Sequence, residues 1–183
     1  MSFSLHGPGL WYVTRAAGLV TMLLLTCSVL LGVLTAGRFA GDRWPRFVTV
    51  GLHRNLSLMV LVFLAVHVVT IVIDTFTSIP LAAAFIPFAT TYKMGWTTLG
   101  AIALDLLVVL TATSLIRNRL GYRTWRWVHW LAYLCWPVAL AHGLGMGTDR
   151  RTLWVVELTV ACIAIVAGAA FWRVVSAARA GAR

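Results

Sequence analysis

The chain has 183 residues, 61% hydrophobic and only 11% charged, with a net charge of +10 and a mean hydropathy of +0.90. A soluble domain carries roughly a quarter charged residues and has no way to hide this much apolar surface, so the composition excludes a soluble globule and makes the lipid bilayer the solvent. The excess of base raises a nucleic-acid partner, but the fifteen Lys and Arg flank apolar runs instead of forming one soluble patch, and this argues against nucleic acid.

Five spans are expected. The first covers residues 16 to 36 and ends at Gly37; its apolar run exceeds a signal-peptide core of about 7–15 residues, and few positive charges precede it, so it reads as a retained helix. The second, 47 to 73, begins after Pro45. Residues 75 to 95 are apolar but interrupted by Pro80 and Pro87, too short between them to cross, and are expected to lie on or dip into the outer face as a partly helical cap. The third span, 96 to 116, is broken off by Asn118 and Gly121. The fourth, 124 to 146, closes at Gly143, Gly145 and Gly147, and the fifth runs from 152 to 174. With no long linker, repeat or low-complexity tract, the reading is a single domain over 1–183: an all-α integral membrane bundle of five transmembrane helices with an extracytoplasmic cap.

Charge sets the orientation. Arg38, Arg43, Arg46, Arg54, Arg117, Arg119, Arg123, Arg126, Arg173, Arg179 and Arg183 fall on one side, and Arg15, Lys93, Arg150 and Arg151 on the other. The positive-inside tendency then puts the N-terminus outside and the C-terminus in the cytoplasm of a bacterial plasma membrane. Spans two and four both run outward. Cys27, Cys135 and Cys162 fall inside apolar runs with no CxxC spacing and read as small core residues, not as a disulfide framework or a metal site.

Two spans carry the chemistry. His53 and His67 lie 14 residues apart on span two, and His129 and His142 lie 13 apart on span four. Because both spans run outward, His53 shares a depth with His129 on the cytoplasmic side, and His67 with His142 on the outer side, the levels lying about 20 Å apart. Neutral imidazole is a strong axial ligand for haem iron, so the pattern predicts two b-type haems, each between two histidines. A single membrane histidine is more often a packed interior residue, and a proton relay is the other alternative. Zinc would gather its ligands round one point, whereas these stand at two levels. Helix phase strains the idea: 14 residues return His67 to within about 40° of His53, but 13 leave His142 roughly 140° from His129. Pro137 lies between the latter two and is expected to kink the helix and change its register.

These residues resemble the ferric-reductase-like transmembrane domain, the haem unit of membrane ferric reductases, NADPH oxidases and the methionine-sulfoxide reductase membrane subunit. The likeness rests on the His53/His67 pair, on RNRLGYRTWRWVHWLAYL (117 to 134) carrying His129, and on His142. It implies that the four histidines ligate two stacked b haems conducting electrons to the outer face. Against that family the first of six core helices is missing, and the chain stops at Arg183 without a flavin and nucleotide domain, so the electron donor is expected on another molecule. GLGMG (143 to 147) ends a membrane helix and follows no strand, so it is not a dinucleotide fingerprint.

Around the ligands, Arg54, Arg123 and Arg126 near the inner level, and Arg150, Arg151 and Lys93 near the outer one, are candidates to pair with haem propionates; plain positive-inside flanking is the alternative. Trp136 lies midway between the span-four ligands and is a candidate electron relay, with simple packing as the other reading. Asp105, near mid-membrane in span three, is expected to orient a ligand, carry a proton or bond a nearby Thr. Glu157 is shallower and His6 lies outside the spans.

The first functional reading is an electron conduit, from a cytoplasmic flavin or flavoprotein to an extracytoplasmic acceptor such as a ferric chelate, oxygen, a flavin-bearing partner or a methionine-sulfoxide reductase. The alternative is a quinol-linked cytochrome b subunit of a larger respiratory complex. A third, non-redox reading is a small transporter or scaffold.

Overall fold

A computed structural model of the chain describes residues 8–37, 45–75 and 77–181. His6, Arg38, Arg43 and Arg183 lie outside them. The helices are α1 (Pro8–Ala36), α2 (Arg46–Ile73), α3 (Ala82–Phe85), α4 (Met94–Leu115), α5 (Arg117–Leu120), α6 (Tyr122–His129), α7 (Ala132–Met146) and α8 (Leu153–Gly181). Helix is the only span that satisfies its own backbone in lipid, and four of these helices, within α1, α2, α4 and α8, are long and apolar enough to cross a membrane.

Helix α1 begins at Pro8, earlier than the span expected from residue 16, because proline's missing N–H costs nothing in a first turn. Arg15 therefore sits inside a helix, its guanidinium over the Trp11 ring at 5.6 Å. The fourth expected span is not one helix. It is divided into α6 and α7 by Trp130 and Leu131, and at eight and fifteen residues each piece falls short of the roughly 20 needed to cross alone.

The chain forms two compact units, Met1–Leu19 with Leu64–Gly147, and Val20–Phe63 with Thr148–Arg183. In the first, α4 packs along α7 and also touches α3, α5 and α6. Buried Ala101 and Leu110 of α4, and Cys135 and Trp136 of α7, belong to its core. In the same unit α1 meets α2 through a buried polar contact, the Thr14 hydroxyl donating to Thr70 Oγ1 at 2.8 Å. In the second unit, the end of α1 approaches α8, where a Cβ on Gly37 would stand 2.7 Å from the Trp172 ring.

Between Pro80 and Pro87 the chain is partly helical, as expected, through α3. Ile86 to Ala89 make a tight turn closed by the Ala89 N–H on Ile86 O at 3.3 Å. Pro87 suits its second position, but Phe88 at φ 65° occupies a place that favours glycine. The Phe88 N–H donates to Thr98 Oγ1 at 3.0 Å, which ties the turn to α4. Beyond α5, Gly121 at φ 76° makes the reversal into α6 that a side chain would strain.

Candidate metal centre

His67, on α2, donates its Nδ1–H to Thr14 O of α1 at 2.8 Å. A backbone carbonyl only accepts, so the proton is fixed on Nδ1 and the Nε2 lone pair is left for a ligand role. His142, on α7, does the same with Trp96 O of α4 at 2.7 Å. The two rings then stand 6.4 Å apart by their centroids and nearly perpendicular, at 85°. Two imidazoles bonding one metal from opposite sides, at the zinc–imidazole length of about 2.0–2.1 Å, would put their ring centres roughly 6.3 Å apart. The separation leaves room for one metal ion that both rings would hold, and among the described residues no group of three or more His, Cys, Asp or Glu forms a closed metal site.

The neighbouring helices give way to these rings at glycines. A Cβ on Gly100 would lie 2.5 Å from His142 Cε1, and one on Gly18 would lie 3.1 Å from His67 Cε1. The exchange is mutual between α4 and α7, since a Cβ on Gly145 of α7 would collide with the Trp96 indole. Trp96, which supplies the carbonyl for His142, is thus seated by a glycine three residues beyond that histidine.

In the second unit, His53 of α2 donates its Nδ1–H to Ser28 O of α1 at 2.9 Å, with Ser28 Oγ at 3.3 Å from the same nitrogen. Ser57 Oγ donates to His53 O at 2.8 Å, so in the 2.7 Å contact between the two serines it is Ser28 that donates. Gly32 faces this ring, but a Cβ there would stay 3.5 Å away, an ordinary contact.

His129 ends α6 with its ring stacked on Trp125, centroids 4.9 Å apart and planes 26° apart. The Trp125 Nε1–H donates to Ser114 Oγ of α4 at 3.3 Å. The expected change of register between His129 and His142 is present, but one to two turns upstream of Pro137, which lies inside α7. The N–H groups of Leu131, Tyr133 and Leu134 bond three residues back, to Val128, Trp130 and Leu131. Pro137 has no N–H to offer Tyr133 O, and the i→i−3 bonds all lie before it. Each residue in such a 3₁₀-type step turns about 20° more than in an α-helix, so three of them reduce the 140° mismatch to roughly 80°.

The other expected residues are dispersed. Arg54, Arg123, Arg126 and Arg150 are exposed, with Arg126 over the Trp130 ring at 5.8 Å. Arg151 is also exposed, and the Lys93 ammonium donates to Met146 O at the end of α7 at 3.4 Å. Trp136 is buried in the core, and Asp105 is half-buried on α4, five residues beyond Gly100. Thr14, Ser28, Trp96, Gly18 and Gly100 were not among the expected site residues. A usable signal existed for part of this set: TRAAG (14 to 18) and SVLLG (28 to 32) repeat at the 14-residue interval that separates His53 from His67.

These features define a helical membrane protein in which three histidines are held by backbone carbonyls of neighbouring helices. The sequence matches the ferric reductase like transmembrane component family over residues 17–145, and the chain belongs to that family. It is similar to the protein-methionine-sulfoxide reductase heme-binding subunit MsrQ of Ralstonia nicotianae, with 29% identity over 174 residues, covering 93% of this chain and 75% of the relative. No solved structure matches it.

Proposed function

We propose that the chain is a di-haem b-type cytochrome, the membrane electron-transfer subunit of an oxidoreductase. His67 and His142 hold the outer haem, and His53 and His129 the inner one. The observation that carries this reading is the His67–His142 pair, 6.4 Å apart with both Nδ1 protons committed to carbonyls. Membership of the family and the haem-binding relative support it independently. When bound, the haems supply one-electron oxidation and reduction at iron.

The chain's own residues do the rest. The carbonyls of Thr14, Trp96 and Ser28 keep three of the rings in one tautomer and orientation. Arg54, Arg123 and Arg126 neutralise inner propionates, and Arg150, with Arg151 and Lys93, outer ones. Trp136, buried and midway in sequence between the span-four ligands, serves as an electron relay. Helices α6 and α7 together make one crossing, which brings the total to five, with residues 75–95 as the cap outside and the C-terminus in the cytoplasm of a bacterial plasma membrane.

Electrons enter from a cytoplasmic flavin or flavoprotein on a partner, steered by the arginine-rich face, and leave to an extracytoplasmic acceptor. The relative's name supports a methionine-sulfoxide reductase as that acceptor. Raising salt should slow entry from an acidic flavoprotein donor several-fold, since such steering is screened over about 10 Å at 0.1 M. The deciding experiment is a reduced-minus-oxidised absorption spectrum of the purified chain with haem per chain measured chemically. Two b-type haems per chain are expected. A colourless, haem-free protein overturns the reading.

A further inference from the structure

The carbonyl that holds each of three histidines stands four residues before a glycine on the same helix: Thr14 and Gly18, Ser28 and Gly32, Trp96 and Gly100. Glycine is only 15 of 183 residues, so composition does not account for three coincidences in three. Helix geometry does. The carbonyl of residue i points toward the N–H of residue i+4, and the Cβ of residue i+4 tilts back toward the helix N-terminus, over that same carbonyl. A ring that approaches from a neighbouring helix to donate to an in-helix carbonyl passes close to residue i+4, and a side chain there narrows its path by an amount that depends on how closely the ring approaches.

We propose that Gly18 and Gly100 are positioning residues for the outer haem ligands: by leaving the approach to Thr14 O and Trp96 O open, they set the orientation of His67 and His142. This rests on the proposed haem-binding function. The stringency is graded by clearance. Gly100 leaves 2.5 Å to the His142 ring, Gly18 leaves 3.1 Å to His67, and Gly32 leaves 3.5 Å to His53, room enough for a methyl group. Gly95, on the helix of Gly100, and Gly51, on the helix that carries His53 and His67, have nothing within 4 Å and serve as controls.

The test compares full-length Gly100→Ala, Gly18→Ala, Gly32→Ala, Gly95→Ala and Gly51→Ala with the wild type, reading haem per chain, midpoint potentials and the low-temperature electron paramagnetic resonance signals of the oxidised haems. The last readout follows the angle between axial rings and does not move with a merely structural loss. Gly100→Ala should halve the haem content. Gly18→Ala should keep both haems but shift the resonance and potential of one. Gly32→Ala and both controls should match the wild type. Gly100→Ala with both haems and unchanged signals overturns the inference, as does an equal loss in Gly95→Ala. If Gly100→Ala does not accumulate, Gly18→Ala decides: a shifted signal supports the inference and a wild-type signal overturns it. A wild type without haem would instead overturn the proposed function.

Discussion

The seat of His67 and the seat of His53 are two versions of one device on the same pair of helices. In each, a hydroxyl residue of α1 accepts the ring proton on its carbonyl and donates its own proton to a hydroxyl on α2, which in turn bonds the α2 backbone. Thr14, Thr70 and Val66 do this for His67, and Ser28, Ser57 and the carbonyl of His53 itself for the other. They differ in tightness. A Cβ on Gly18 would come within 3.1 Å of His67, which also faces a second ring, whereas one on Gly32 would stay 3.5 Å from His53, whose Nδ1 has the Ser28 hydroxyl 3.3 Å away. The lesson is that the carbonyl sets the tautomer in both, while clearance alone decides whether a glycine is indispensable.

This contrast is open to mutation. The largest effect belongs to His53→Ala, which should remove the inner haem, halve haem per chain and abolish electron passage from a cytoplasmic donor, checked by stoichiometry and by reduction kinetics in vesicles. Next is Trp125→Ala, which removes the stack on His129 at 4.9 Å. Aromatic pairs contribute about 0.5–1.5 kcal/mol beyond burial, so weaker haem retention during dilution, by up to roughly tenfold, is the expected outcome. Ser28→Ala and Thr14→Val should each cost about 0.6–1.7 kcal/mol, the range for membrane hydrogen bonds, seen as a lowered midpoint in thermal unfolding. Ser28→Ala should be the more harmful, because it also strips a hydroxyl from beside His53 Nδ1. Equal effects would erase the distinction between the two seats. Smallest of all is exposed Arg54→Gln, expected to leave stability within about 0.5 kcal/mol while weakening the salt dependence of electron entry.

Much of this was legible in the chain itself. Apolar length located α2, α4 and α8 closely, because a bilayer demands long uncharged helices whatever their partners. The matched spacing of four histidines pointed to paired depths, and the structure brings His67 and His142 together; His53 and His129 fall in different units. The 13-residue interval pointed to a changed register between His129 and His142, but the break lies at Trp130 and Leu131, whereas α7 runs on through Pro137, where the kink was expected. Arg15 inside α1 was hidden because a charge ordinarily marks the end of a span. The seats were hidden for a deeper reason: their working atoms are backbone carbonyls, which every residue has, so Trp96 carried no mark of its role. Only the glycines one turn later are visible in sequence, and only when their interval is compared with that of the histidines.

The central claim is that His67 and His142 are two ligands of one iron. Haem per chain in His67→Ala, His142→Ala and the double variant tests it most directly. All three should lose the same single haem, leaving identical spectra and one unchanged midpoint potential. A double variant that loses more haem than either single change would show two separate sites and contradict it.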